Sequence, residues 1–223
     1  MNTNLSIIIP TLNRKDLLLE ALTALDKQWN NFDKLLIIDN GNQDILSDIQ
    51  NFEMVKFHKI DIYIPGKNLG VGASWNYGIN YFINSSHLLI VNDDVVLGES
   101  QLEKIRNFNK KNDYWLAVGN NLWSVFGISQ VLWKYFLDQD GFVFDENFFP
   151  AYFEDNDMHY RLNLANGSTL GTNLMNPKIF RNSMTIKKDP SINSRFSKNR
   201  NFYIQKWGGT PGQEKYKKPF DKK

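Results

Sequence analysis

The chain has 223 residues, 42% hydrophobic and 14% aromatic, enough to bury a sizeable core and too apolar for a disordered chain. It contains no cysteine, which excludes disulfide staples, thiolate zinc sites and thiol nucleophiles together. Its net charge of +2 is uneven: from Lys178 onward 13 Lys and Arg face 3 acidic residues, a local +10 that leaves −8 on the rest. A basic tail on an acidic body points to an anionic partner such as a diphosphate, a phospholipid surface or a nucleic acid, or else to a solvated terminal segment.

Met1–Asn4 carries no basic or long apolar leader, so the expectation is a cytoplasmic protein, with peripheral membrane contact left open. Leu5–Ile9 reads as a buried strand ended by Pro10. Leu18, Leu22, Leu25 and Trp29 recur at helical spacing, so a helix is predicted over Lys15–Trp29. Lys34–Asp39 is the second strand, turned by Asn40-Gly41-Asn42. Val55–His58 or Ile60–Ile64 supplies the third. Gly70–Asn84 opens on glycines and becomes a helix, and His87–Val91 is a strand stopping at Asn92-Asp93-Asp94. A helix over Gln101–Phe108 and a strand over Trp115–Val118 follow. The aromatic stretch Trp115–Leu137 is interrupted by polar residues and reads as core and cleft, not as a membrane span. Phe142–Phe153 is dense in Phe, and Glu154–Ala165 reads as a helix. After Asn176-Pro177 the chain turns basic and irregular. Alternating strands and helices predict an α/β fold with a mostly parallel central sheet.

In such sheets ligands lodge beyond the carboxyl ends of the strands. Three polar clusters fall there: Thr11 to Arg14, Asp39-Asn40, and Asn92-Asp93-Asp94. Thr11 and Arg14 offer a hydroxyl and a cation, and Asp39 can accept hydrogen bonds from a base or ribose. Asn68 to Gly72 lets the backbone approach a ligand closely. Asp93 and Asp94 could hold Mg²⁺ or Mn²⁺, hard cations that bridge diphosphate oxygens, or could simply belong to a capped loop. Glu154, Asp155 and Asp157 open a helix among Phe148, Phe149, Tyr152 and Phe153. Apolar walls raise a carboxylate's pKa and prepare it as a general base, although acidic residues at a helix start also favour the helix dipole. His58, His87 and His159 are too scattered for a metal site.

The segments SIIIPTLNR, LLIIDNGN, KNLGVGASWNYGI, LLIVNDDV and FDENFFPAYFEDNDMHYRL occur in the order and approximate spacing of the family 2 glycosyltransferases. The chain resembles that family over about residues 5–165. The resemblance implies a Rossmann-like GT-A fold and inverting transfer from a nucleotide sugar, UDP- or dTDP-linked, to a saccharide or lipid-linked saccharide. It implies Asp94 as principal metal ligand for Mn²⁺ or Mg²⁺, and Asp155 as catalytic base with Glu154 beside it. Asp39 would read the nucleoside. Thr11, Arg14, Asn40, Asn68, Gly72, Asn76, Asn92 and Asp93 complete the donor-side set. Two departures stand out. The first motif position is the uncharged Asn92, and the region near Phe180-Arg181-Asn182-Ser183 lacks the metal-binding His of many members.

The expected layout is a glycosyltransferase domain over residues 1–177, with a donor half to about residue 110 and an acceptor half to 177. A basic extension follows over 178–223. Within it, Lys206, Trp207 and a glycine pair suit either a lid over bound donor or a hydrophobic plug against the body. Rival readings are a dinucleotide oxidoreductase, a nucleotidylyltransferase, a non-catalytic sugar-nucleotide or carbohydrate-binding module, and transfer to a modified base in DNA. Gly70-x-Gly72 favours the oxidoreductase, but Trp75 stands where a third glycine belongs.

Overall fold

The computed structural model describes residues 4–30, 33–56, 60–181 and 190–221. In chain order the first elements are β1 (Ser6–Thr11), α1 (Lys15–Asp26), β2 (Lys34–Asp39), α2 (Leu46–Ile49), α3 (Glu53–Lys56) and β3 (Ile60–Tyr63). There follow α4 (Val71–Tyr81), β4 (His87–Val91), β5 (Val95–Val96), α5 (Gln101–Asn109), β6 (Leu116–Gly119) and β7 (Leu122–Ser129). The last labelled elements are α6 (Gln130–Asp140), α7 (Glu154–Leu164), β8 (Thr169–Gly171) and β9 (Ile179–Phe180). A short helix over Pro190–Asn193, a C-terminal helix over Phe196–Trp207 and a 3-10 turn over Pro219–Asp221 complete the described elements.

Seven strands form one sheet in the order β3-β2-β1-β4-β7-β6-β8, and β5 pairs with β9 in a separate ribbon. β1 to β4 are mutually parallel where they pair, whereas β7 runs antiparallel to both β4 and β6. This is the mostly parallel α/β arrangement expected. Strand alternation divides the core into two layers, because successive side chains point to opposite faces. Ile7, Ile9, Leu35 and Ile37 join Leu18, Leu22, Leu102 and Ile105 of α1 and α5. Ile8, Leu36, Ile38 and Ile90 join Trp75, Ile79, Trp133, Met158 and Leu162 of α4, α6 and α7. Both faces are therefore covered, which is why these strands are continuous apolar runs.

Pro10 does not end the first strand. Leu5 and Thr11 both offer their carbonyls to the β2 side, which directs the nitrogen of Pro10 toward β4. Pairing with β4 has already stopped at Ile8–Ile90, so the missing N–H leaves no ladder bond unmade. The third strand is Ile60–Tyr63. Of the alternative, residues 53–56 are helical, and His58 lies outside the described residues. The segment that reads as irregular, after Asn176-Pro177, contains the 12-residue C-terminal helix. Its buried face is Asn199, Tyr203, Lys206 and Trp207, a stripe whose two polar members hide it from hydropathy. Among the described residues no helix is long and apolar enough to cross a membrane.

Candidate active site

β1 lies between β2 and β4, so the strand order reverses at β1, and the crevice beyond that point is where open α/β sheets take ligands. A cavity of about 530 Å³ opens there. Thr11, Asn40, Asn68, Asn92, Asp93 and Asp94 line its strand-end side. Tyr152, Phe153, Glu154, Asp155 and Asn156 line it from the start of α7. The fold thus draws the two acidic clusters of the sequence into one lining. A larger cleft of about 800 Å³ lies between α1 and α5, bordered by both Lys and Glu, and holds none of the expected site residues.

Asn40, Asn68 and Gly70 order the wall. The Asn40 amide donates to Ser74 Oγ at 3.0 Å, and its Oδ1 accepts from the Leu69 N–H at 2.9 Å. Asn68 Oδ1 accepts from the Gly70 N–H at 2.8 Å. Gly70 then turns the chain at φ +84° into α4, and a Cβ there would stand 2.8 Å from the Pro150 carbonyl. Only glycine meets both demands.

The carboxylates differ in environment. Burial pushes the Asp93 carboxyl up to about 7, against a hydrogen bond from Thr11 and the charge of Arg14. One of its oxygens, Oδ2, has no hydrogen-bond partner. Glu154 is held well above the usual carboxylate range, by burial first and by the charge of Asp155 second, and its Oε2 is likewise unpartnered. Burial also raises Asp155, opposed by the Asn156 N–H, which donates to its Oδ1 at 2.8 Å, and by the charge of His159. Asp94 is buried to 6% exposure and lines the cavity, and its carbonyl accepts from the Arg181 N–H at 3.2 Å.

Four expected donor-side residues do not line this cavity. Arg14 is spanned by Asp16, with Nε and Nη2 bonds of 2.9 and 2.8 Å, and acts on the cavity only through its charge at Asp93 and Asp94. Asp39 receives the N–H groups of Gly41 and Gln43 and the Gln43 amide, so its carboxylate organises its own turn. Gly72 packs toward Glu154 and Phe144. Asn76 bonds Phe144 through both its amide and its Oδ1, and also donates to Glu146, pinning the loop ahead of α7.

Sequence reasoning passed over Trp75, Trp123, Phe180 and Phe196, all in the lining. The signal for Trp123 was its place in a polar-interrupted aromatic run. For Phe180 and Phe196 there was none, since their positions depend on β9 pairing with β5 and on the C-terminal helix. Of the region examined for a downstream metal ligand, Asn182 and Ser183 lie outside the described residues. Arg181 bonds Glu20 at 2.7 Å.

Of the lid and plug readings, the geometry of Lys206 and Trp207 is that of a plug. Trp207 is 1% exposed and donates its Nε1–H to Asp157 at 2.8 Å. Lys206 reaches Asp145 at 2.7 Å and Asp157 at 2.6 Å. Both face the interior because two buried carboxylates need a cation, and both are absent from the cavity wall. Asp157 is thereby a buried ion-pair centre, also bonded by Arg161 at 2.9 Å, and not merely a helix cap.

The family model described as glycosyl transferase family 2 matches residues 6–181. The chain belongs to that family. An uncharacterized glycosyltransferase of Rickettsia felis is 28% identical over 113 residues, 51% of this chain and 18% of that protein. The structure of S. aureus TarS in complex with UDP superposes with a TM-score of 0.59 at 16% identity, covering 76% of this chain and 57% of that one. Glucosyl-3-phosphoglycerate synthase from Mycobacterium tuberculosis, in complex with Mn²⁺, UDP and glucosyl-3-phosphoglycerate, gives 0.59 at 12% identity, covering 88% and 78%. At such identities these likenesses speak for the GT-A fold alone. The chain spans only a fraction of the length of the Rickettsia relative and a little over half of the TarS structure.

Proposed function

We propose that this family 2 member transfers a sugar, with inversion, from a nucleoside-diphosphate sugar to an acceptor hydroxyl. One observation carries the reading: a single cavity at the strand-order reversal is lined by Asp93 and Asp94 on one side and by Glu154 and Asp155 on the other. The family membership and the UDP in two structures of the same fold support a UDP-linked donor, with dTDP the next candidate.

Asp155 acts as the base. Burial raises its pKa above the ordinary carboxylate value, which strengthens it as a proton acceptor. The acceptor hydroxyl gives its proton to Asp155 as its oxygen attacks the anomeric carbon, and the bond to the diphosphate breaks on the opposite face. Glu154, buried beside it, has its own pKa raised by burial and by the charge of Asp155. Thr11 and Asn40 border the donor side, and Asn68 shapes the glycine turn. Trp123, partly exposed in the lining, offers a flat apolar face suited to a pyranose ring, which supports a saccharide or lipid-linked saccharide as acceptor.

Among the described residues no three acidic or His side chains form a self-sufficient metal centre. The residues nevertheless fit a substrate-completed one. Mn²⁺ and Mg²⁺ take one or two carboxylates together with substrate phosphates, and Asp93 presents an unpartnered oxygen beside Asp94. Asp94, with Asp93, would hold the cation, which when bound neutralises charge on the leaving diphosphate. A thermal-shift titration with UDP, with and without Mn²⁺, tests the donor half: stabilisation by UDP that grows with Mn²⁺ is expected, and a flat response to every nucleoside diphosphate contradicts it.

A further inference from the structure

The loop Phe149–Phe153 delivers the proposed base to the cavity, and it does so through an unfavourable backbone. Tyr152 and Phe153 both adopt left-handed conformations, φ 79° and 75°, which bulky side chains rarely take. Such residues persist only where their surroundings over-determine them. Phe153 is also the N-cap of α7 and makes no side-chain capping bond.

The C-terminal helix supplies a constraint. Asn199 is 2% exposed, and its side-chain amide donates toward three consecutive-turn carbonyls: Ala151 at 2.8 Å, Phe149 at 3.3 Å and Tyr152 at 3.4 Å. These carbonyls belong to the segment whose residues Pro150 to Asp155 line the cavity. The bond is directional, unlike the ring contacts of Phe153 with Phe196 and Tyr203 that also reach this loop. The helix does not depend on it for its own seat, because Lys206 and Trp207 anchor separately to Asp145 and Asp157, and Tyr203 packs on Phe148.

We infer that Asn199 is a positioning residue for sugar transfer, holding the left-handed turn that aims Asp155 and Glu154 into the cavity. This rests on the reading of Asp155 as the base. Loss of the amide frees three carbonyls and lets the turn relax, which displaces the base, while Asn40 and Asn68 keep their own bonds to Leu69 and Gly70. A small misplacement of a reacting group lowers turnover without weakening binding of the distant partner.

The test compares wild type, Asn199→Ala, Asn199→Ser and Asp155→Asn with a UDP-sugar donor, measuring melting temperature, kcat, donor KM and the acid limb of the kcat profile. Both Asn199 variants should stay folded, keep donor KM within about twofold and lose roughly 10–100-fold in kcat. Their acid limb should move to lower pH, since a base freed from its packed turn gains water. A folded variant with wild-type kcat overturns the inference. So does a loss of kcat matched by weaker donor binding with an unmoved acid limb, or failure of both variants to fold, either of which makes Asn199 a structural residue only. Asp155→Asn separates the two readings: wild-type transfer by that variant defeats the base assignment, whatever Asn199 does.

Discussion

The N–H of Val71 donates to the carbonyl of Pro150 across 2.8 Å, joining the glycine turn on the donor side to the loop that presents Glu154 and Asp155. The two halves of the cavity therefore meet through backbone at one point. Gly70 permits the approach, since a Cβ would press on Pro150 and lie 3.0 Å from the Phe149 ring at a φ of +84°.

Gly70→Ala should accordingly cost about 1–3 kcal/mol of stability, combining left-handed strain with the contact on Pro150. Urea denaturation measures it. A midpoint unchanged from wild type would mean that the turn and the loop are free to separate.

Lys206 stands between two buried carboxylates, so Lys206→Met should destabilise the protein by roughly 3–5 kcal/mol. Truncation before Phe202 should also lower the melting temperature in the absence of any ligand, because Tyr203 and Trp207 are lost from the core. A truncated protein that melts like wild type would return the C-terminal helix to the status of a movable lid.

Most of the donor half was legible before any coordinates. Short apolar runs ended by polar clusters locate β1, β2 and β4, because a strand buried on both faces leaves a local signature. The gathering of Asp94 and Asp155 in one cavity was legible only through family resemblance. What stayed hidden depends on contacts between distant residues. Asn76 read as a ligand group, and the structure bonds its polar atoms to Phe144, 68 positions away. No local pattern tells a polar side chain that bonds its own fold from one that awaits a substrate. The same applies to Lys206 and Trp207, whose burial follows from carboxylates at Asp145 and Asp157 far away in sequence.

Glu154 should contribute stability to the ligand-free protein at acid pH that is lost as pH rises. Glu154 has a folded pKa raised well above its ordinary value, so the folded chain keeps a proton that the unfolded chain releases. That stability is complete below the unfolded pKa and is lost as pH rises through the folded one. Glu154→Gln removes the term, so its melting temperature should exceed that of wild type at pH 8 and the gap should close by pH 4. A gap independent of pH would show that folding does not raise the pKa of Glu154.

Asp94→Ala should remove the Mn²⁺ dependence of UDP binding while leaving a weaker, metal-independent affinity. Isothermal titration with and without chelator distinguishes the cases. Titrations of wild type that are identical in both conditions would place diphosphate neutralisation elsewhere, on cations such as Arg14.

The central claim is an inverting displacement with Asp155 as base, and the configuration of the product tests it most directly. Wild-type protein, UDP-sugar donor, Mn²⁺ and a saccharide acceptor should yield a product whose anomeric configuration, read by proton NMR, is opposite to that of the donor. Asp155→Asn should bind UDP normally and form the same product roughly 10²–10⁴-fold more slowly. A product with the donor's own configuration, or undiminished turnover by Asp155→Asn, would contradict the account.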